Sequence, residues 1–514
     1  MLAFILRRLG TLVVILFGSS FLLYNLAAIS GDPLGELRVS TDPEAPAQIA
    51  ALTRDLNLNV PPPLRYFIWL KGVLGLFVGK LDLGMTRSAE PVADAVLSAI
   101  PTTIRLVSTA VVVAIILGIS IGIITALRQY SRFDYSMTFV SFLLFSLPIF
   151  WVAVLLKQFL AIEFNNWLAD PKIAPFTMAI VGGIVGLIVA SAIGGERKKF
   201  YRNFGITAVT TVIVLAALLQ LNWFLQPQLG PIGFFAASIA GSLLMTQLSM
   251  GLKHKPSLYA ALTMSVVGLI FYFPVQWVFG LQRQPLMIFL LLLLTLGVAV
   301  LAAIFFAKID RGPVIRTAVL SGIFSGFLMI LDKLMKTWEP YFKTDAVNGR
   351  PVPTVGQTNP LLEGGDYWIS LLDVVMHLVL PTIALTAISF AGYIRFSRGT
   401  MLEVLNQDYI RTARAKGLTE RTVIMRHAFR NTMIPLTTII VVDFAGILGG
   451  AIITERVFGW TAMGTLFNQA INSFDLNLLM GVFFLTATLA LVANLVADLL
   501  YSVMDPRIRV GAGS

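Results

Sequence analysis

The sequence predicts an all-α polytopic membrane protein, and three observations carry that prediction. Of its 514 residues, 57% are hydrophobic and only 13% charged, about half the charge of a soluble domain. Apolar stretches long enough to cross a bilayer recur at about 9–29, 103–127, 137–162, 173–193, 205–223, 232–250, 258–280, 286–307, 314–331, 373–392, 433–454 and 477–501, twelve in all. Lys and Arg gather in alternate connections between them, as they do in cytoplasmic loops.

Taken in order, the chain opens on Arg7 and Arg8, then runs apolar to about Ile29. A signal peptide has such a charged start, but this run is longer than a signal core and no A-x-A site follows. It is expected to be retained as the first span. With the N-terminus inside, the inner connections hold Arg128 and Arg132, then Arg197, Lys198, Lys199 and Arg202, then Lys253 and Lys255, then Lys308 and Arg311. The long segment 394–430 is inner and basic as well. The alternate short connections carry only Lys172 and Arg283, and LQPQLGP carries no base. A multi-pass protein of the inner or plasma membrane, with both termini cytoplasmic, is expected. The 314–331 stretch is short enough to be re-entrant or tilted.

Two outer segments are long. In 30–100, Pro61, Pro62 and Pro63 precede LRYFIWLKGVLGLFVG, whose Phe67 and Trp69 suit either the membrane interface or the core of a small external subdomain. The second, 332–366, is rich in Pro, Gly, Asn and Thr and is expected to be irregular loop.

The formal charge of +11 does not point to nucleic acid, because the bases sit in short loop clusters. Cys is absent and the three His are scattered, so disulfides and thiolate sites are excluded and no metal-ligand spacing is present. No G-x4-G-K-[ST] phosphate loop occurs, and no catalytic residue is assigned. Energy for any transport must therefore come from a partner.

The segment 394–432 is the most informative. A link that only turned the chain would be short, whereas this one is about forty residues, helical in pattern and interrupted at Gly417. Thr412, Ala413 and Lys416 lie near one another around the first helix. Ala413 and Gly417, four apart, leave a face with little side-chain bulk. Gly417 is expected to end that helix in the left-handed conformation, and Thr419 to N-cap a second, TERTVIMRHAF, with Glu420 in its first turn. The expected result is a rigid helix–glycine–helix knob. On periodicity alone, a basic amphipathic hairpin on anionic lipid is the alternative.

The same residues resemble a known pattern. Asp408, Tyr409, Ile410, Arg411, Thr412, Ala413, Arg414, Ala415, Lys416, Gly417 and Leu418, followed by Arg426, His427, Ala428, Arg430, Asn431 and Pro435, resemble the ATPase-coupling segment of ABC importer permeases. The form is that of the dipeptide and oligopeptide branch, with Arg411 and Thr412 where the general E-A-A-x3-G pattern has Glu and Ala. ILRRLGTLVVILFGSSFLLY with Gly31–Pro33, SLPIFWVAVLL, HLVLPTIAL, GGAIITERVFGWTAMG and DLLYSVMDPRIR are similar to the same family.

The resemblance implies a six-helix type I ABC importer permease core in two parts, 1–168 and 366–514, with three spans each. Between them, 169–365 does not resemble the family and is expected to add about six spans. An even number returns the chain to the same side and keeps the coupling segment cytoplasmic. The resemblance further implies inward transport of peptides by alternating access. Its partners would be a second homologous permease subunit, two ATP-binding subunits carrying ATP and Mg2+, an extracytoplasmic substrate-binding protein and membrane lipid, with no cofactor on this chain. Within the branch, nickel chelates and glutathione are alternative cargoes. A secondary transporter is the rival class, but it would need paired ionisable or broken-helix sites in two repeats, and no such symmetry is visible. A non-transporting scaffold is a third reading.

Charges at membrane depth are few. Asp443 lies mid-span, where a carboxylate costs at least ~2.5 kcal/mol unless it faces protein or water. It is read either as a packing group bonded to a neighbouring helix or as a cavity group for a substrate ammonium. Gly446 and Gly450 on the same helix suit a close crossing at the pore or a subunit seam, and ordinary packing equally. Lys157 is expected to snorkel or to pair with Glu163, and Asp498 to anchor near the inner end. Phe458 and Trp460 are expected at the outer interface, where the resemblance implies the outer mouth. No buried charge pair is expected in the insert.

Overall fold

The computed structural model describes residues 2–281, 284–308 and 311–504. Among these residues the architecture is helical throughout, with one isolated bridge between Met85 and Pro91. Ten helices are long and apolar enough to cross a membrane, or eleven if the bent pair Lys255–Ile270 and Tyr272–Val278 counts as one span. Phe429–Gly450 is helical where the span 433–454 was expected, and its side chains over 444–450 lie outside the described residues.

Three elements depart from expectation. The 137–162 stretch is two helices, Arg132–Ser146 and Ile149–Leu168, parted at Pro148. Proline lacks the N–H that would continue the ladder and drives Leu147 to ψ 129°. The 314–331 stretch is no re-entrant element but the middle of a 32-residue helix, Arg311–Phe342, roughly 48 Å long. The first part of 332–366 is therefore helix rather than irregular loop. Hydropathy falls at Asp332, Lys333 and Lys336, yet Thr337 and Tyr341 continue the buried face at helical spacing. The 258–280 stretch bends by 59° between its two pieces.

The core is centred on Val92–Leu127 packed along Tyr367–Leu405. Gly118 and Gly122 make the approach close: a β-carbon on Gly122 would collide with the Ser397 side chain and lie 2.8 Å from the Ile394 carbonyl oxygen. Thr386 Oγ1 donates across the seam to the Ala110 carbonyl at 3.2 Å. Lower on the same long helix, Arg398 holds buried Asp134 with two bonds of 2.8 and 3.0 Å, clamping the Arg132 helix. Residues 62–74 pack against the first and last helices. Trp69 is buried with Tyr24 of the first helix and beside Phe484 of the last, while Phe67 is exposed, so Trp69 packs on the spanning helices rather than in a separate external subdomain. Asp475 accepts from the Arg87 amide at 2.7 Å and from the Leu478 amide at 3.0 Å, tying the outer segment to the start of the last helix.

Inside 169–365 the helices form two groups. Pro175–Ile193 and Arg197–Gln220 make a hairpin whose close contact is Gly182 and Gly186 against Ala208. Gly230–Ser249, Lys255–Ile270, Gln284–Phe306 and Arg311–Phe342 form a bundle. Hydroxyls cross its interior: Ser238 bonds Ser265 at 2.8 Å and Ser325 at 2.7 Å, and Ser242 bonds Ser265 at 2.9 Å. The expectation of no buried charge pair is wrong. Asp332 is fully buried and lies 2.8 Å from Lys336 Nζ. It also accepts from Tyr272 Oη at 2.6 Å and from the Leu229 and Gly230 amides at 2.8 and 3.1 Å. These partners sit about sixty and a hundred positions upstream, so no local pattern announces them.

Removing one side of such a pair strands the other groups. Asp332→Ala should lower unfolding stability by about 3 kcal/mol, with a smaller loss for Lys336→Ala, whose ammonium is partly exposed. Thermal unfolding of the detergent-purified protein measures both, and equal melting points for Asp332→Ala and wild type would refute this account of the bundle.

Candidate functional site

The Tyr367 helix runs past its apolar stretch to Leu405 and turns at Asn406 and Gln407 into the helix Asp408–Ala415. Gly417 then adopts φ +76°, the left-handed position expected of it. Thr419 N-caps the next helical turn by accepting from the Thr422 amide. The second helix is not a separate knob. It passes through a π-helical stretch at Val423–Ala428 directly into Phe429–Gly450, so it is the extension of the next span.

Ile410 and Ala413 face inward, packed with Met401, Val423, Ala428 and Ala126. The small side chain at Ala413 thus serves a contact within the chain, and the unfilled space is at Gly417, where a β-carbon would meet nothing within 4 Å. Asp408, Tyr409, Arg411, Thr412, Arg414, Ala415, Lys416, Gly417, Leu418 and Arg426 are exposed. Arg414 binds Glu420 through two bonds of 2.6 and 3.1 Å, which closes the turn over Gly417 and holds the Glu420 carboxyl below its ordinary range. Arg411 lies 3.8 Å from Asp408. Sequence reasoning missed one participant. Arg421 donates to the Gln247 carbonyl, beside Gly251 at φ +85°, where any side chain would strike the guanidinium. Neither residue stands in a pattern that would have disclosed the contact.

Deeper in the chain, Tyr393 Oη donates to half-buried Asp443 at 2.8 Å, which supplies the neighbouring-helix partner that the packing reading requires. Gly446 and Gly450 lie in that helix, with surroundings outside the described residues, as does the side chain of Asp498. Lys157 does not pair with Glu163. Its Nζ donates to the Val457 carbonyl at 3.0 Å, while Gln158 takes Glu163 at 3.2 Å.

Phe458 and Trp460 are buried to 2% and 1% exposure, not set at an interface. The reason is a strap, 351–358, laid over them. The Gly356 amide donates to the Phe458 carbonyl at 2.8 Å, and Asn165 exchanges two bonds with Val352 at 2.8 and 3.1 Å. Thr102 reaches Gln357 at 3.0 Å. Beneath the strap, Glu455 is buried and accepts from the Thr465 amide at 2.7 Å near the start of the Met463–Asn472 helix. No group of three or more metal-ligating side chains occurs among the described residues.

Residues 182–510 match the family described as binding-protein-dependent transport system inner membrane component. The oligopeptide transport system permease protein OppB of Mycobacterium tuberculosis is 38% identical over 183 residues, covering 36% of this chain and 54% of that protein. The dipeptide transport system permease protein DppB of Escherichia coli is 46% identical over 140 residues, covering 27% and 41%. The chain thus spans about half the length of these curated relatives. The dipeptide transport system permease protein DppB of Alkalihalophilus pseudofirmus aligns over 510 residues at 25% identity, 99% of this chain and 100% of that protein. That alignment and the family match both run through the region that looked unlike the family in sequence.

Glu455 gives this end of the molecule a measurable titration. Burial pushes its carboxyl up to about 7, against the opposing pull of the Thr465 and Gly464 amides. A carboxyl that holds its proton more tightly when folded makes stability fall as pH rises from the ordinary value of about 4.3 to about 7, with no further change above. Glu455→Gln should flatten that part of the profile of melting temperature against pH. An unaltered slope in the variant would assign the titration to another group.

Proposed function

The chain belongs to the family of binding-protein-dependent transport system inner membrane components, and from that premise we propose that it is a membrane-spanning subunit of an ATP-driven peptide importer. The observation that carries the reading is the segment 408–418. It is a short helix seated by Ile410 and Ala413 on the chain's own core, with its charged side exposed. A protein without a phosphate loop can use ATP only by being pushed, and a push needs a rigid element outside the bilayer.

In this reading the coupling segment and both termini are cytoplasmic, in line with the distribution of Lys and Arg, and the strap 351–358 is outside. Two ATP-binding subunits carry ATP and Mg2+ and engage Asp408, Tyr409, Arg411, Thr412, Ala415, Lys416, Leu418 and Arg426. Arg414 acts from within, holding Glu420 so that the turn at Gly417 keeps its shape. A second homologous permease completes the path, and an extracytoplasmic binding protein delivers cargo for alternating access. Residues 1–168 and 366–514 form the core, and 169–365 is an annex on it. The names of the relatives support dipeptides or oligopeptides as cargo. Asp443, Gly446 and Gly450 belong to the helix next to the proposed path, with Asp443 held by Tyr393.

Gly417→Val adds a β-carbon in the left-handed region, at roughly 1 kcal/mol, without striking any neighbour in this chain. Together with Arg411→Ala/Lys416→Ala it should leave the subunit inserted and reduce both cargo-stimulated ATP hydrolysis and peptide uptake in proteoliposomes by about tenfold. Co-purification of the ATPase separates lost docking from lost coupling. Hydrolysis and uptake at wild-type rates in both variants would remove the segment from the coupling role and favour a hairpin lying on lipid.

A further inference from the structure

We propose that the outer end of the Tyr367 helix and the loop 341–360 form a binding site for a small zwitterion, such as the free amino and carboxyl ends of a short peptide or an amino acid. The proposal rests on the peptide-importer reading for its physiological meaning and names a recognition chemistry within it.

The site is a cavity of about 280 Å³ whose polar walls include Tyr341, Arg350, Thr358, Asn359, Asp373 and His377. At its base Asp373 is buried to 2% exposure. One carboxylate oxygen accepts from Tyr341 Oη at 3.0 Å and the other from the Asn359 amide at 2.8 Å. Both donors are neutral, and each oxygen retains a lone pair. His377 Nδ1 lies 2.8 Å from the Asp373 main-chain carbonyl oxygen. A carbonyl can only accept, so Nδ1 carries the hydrogen, and the same Nδ1 lies 3.4 Å from Asp373 Oδ1. No Lys or Arg pairs with Asp373 among the described residues.

A buried carboxylate with no Lys or Arg beside it, whose nearest basic group is the His377 ring at 3.4 Å, is costly, and an ammonium entering the cavity would bind it. The rim carries the opposite charge. Arg350 lines the cavity, is exposed, and makes no ion pair among the described residues. Acceptors at the base and a permanent cation at the mouth match a ligand with its ammonium inward and its carboxylate outward. The volume lies just below the range of about 300–1,000 Å³ typical of drug-sized ligands, which suits an end group or one residue rather than a long peptide. Gly356, at φ +93°, lies beside His377, where a β-carbon would stand 3.9 Å from Nε2. The same loop is pinned to Phe458 and Asn165, so the cavity is held on the core.

The test uses the assembled complex in nanodiscs, without the binding protein, and a dipeptide bearing a diazirine side chain. Labelled positions are mapped by mass spectrometry. Labelling should fall within 341–360 or 367–380. Unlabelled alanyl-alanine should compete, and its N-acetyl and C-amide derivatives should compete about tenfold less well. Arg350→Gln, whose side chain is exposed and makes no ion pair among the described residues, should reduce labelling by about tenfold as well. Asp373→Asn, checked for an unchanged melting temperature, should do the same. Labelling confined to 429–450 and 476–504, equal competition by the blocked dipeptides, or unaltered labelling in Arg350→Gln would each overturn the site. ATP-driven uptake of alanyl-alanine into proteoliposomes separates the two claims. Uptake without labelling of the loop rejects this site alone. Labelling that alanine displaces, without uptake of any peptide, rejects the cargo and leaves the zwitterion site standing.

Discussion

Everything else in the molecule hangs on the seam between Val92–Leu127 and Tyr367–Leu405. In a bilayer the lipid tails are as apolar as leucine, so two helices gain little by hiding from solvent and must gain by fitting. Gly118 and Gly122 allow that fit. They bring one backbone against Tyr393 and Ser397 of the other, and Thr386 closes the distance with a bond to a main-chain carbonyl. The partners are more than two hundred and fifty positions apart, yet the seam joins the segments that precede and follow the inserted helices. Residues 169–365 can run out and back between these two helices because the seam already holds the flanking segments together.

The same long helix transmits this order in both directions. Towards one end, Arg398 gathers Asp134 and the Arg132 helix, and beyond it the chain turns into Asp408–Ala415 without a flexible linker. Towards the other, Asp373 and His377 meet the strap that covers Phe458 and Trp460. The inserted helices touch the core at both ends: Gln247 receives Arg421, and Phe279 receives the indole N–H of Trp368 at 2.6 Å.

Much of this was legible in the sequence because hydropathy and loop charge report on partition into lipid directly. The turn after Asp408–Ala415 was legible because Gly417 and Thr419 act within a few residues of themselves. What escaped was whatever depends on neighbours far along the chain. Asp332 reads as the end of a span, since the amides at Leu229 and Gly230 that receive it are invisible from its own helix. Ala413 was expected to share a small-residue face with Gly417, but it packs on Val423 while Gly417 stays open, and periodicity cannot say which neighbour a face meets. Trp460 looks like an interfacial anchor until 351–358 is laid across it. Lys157 does not pair with Glu163 because its acceptor, the Val457 carbonyl, lies three hundred positions along the chain.

The strap also bears on how the molecule could be made smaller. A shortened version obtained by joining residue 168 to residue 366 would remove Val352, Gly356 and Gln357 along with the extra helices. It would leave Phe458, Trp460 and the Asn165 amide facing water with nothing laid over them. Excision ending near residue 342 would discard the helical annex and spare the covering. Residues 343–365 therefore belong architecturally with the helices they cover, and the workable cutting point lies inside a stretch that composition alone marks as uniform loop.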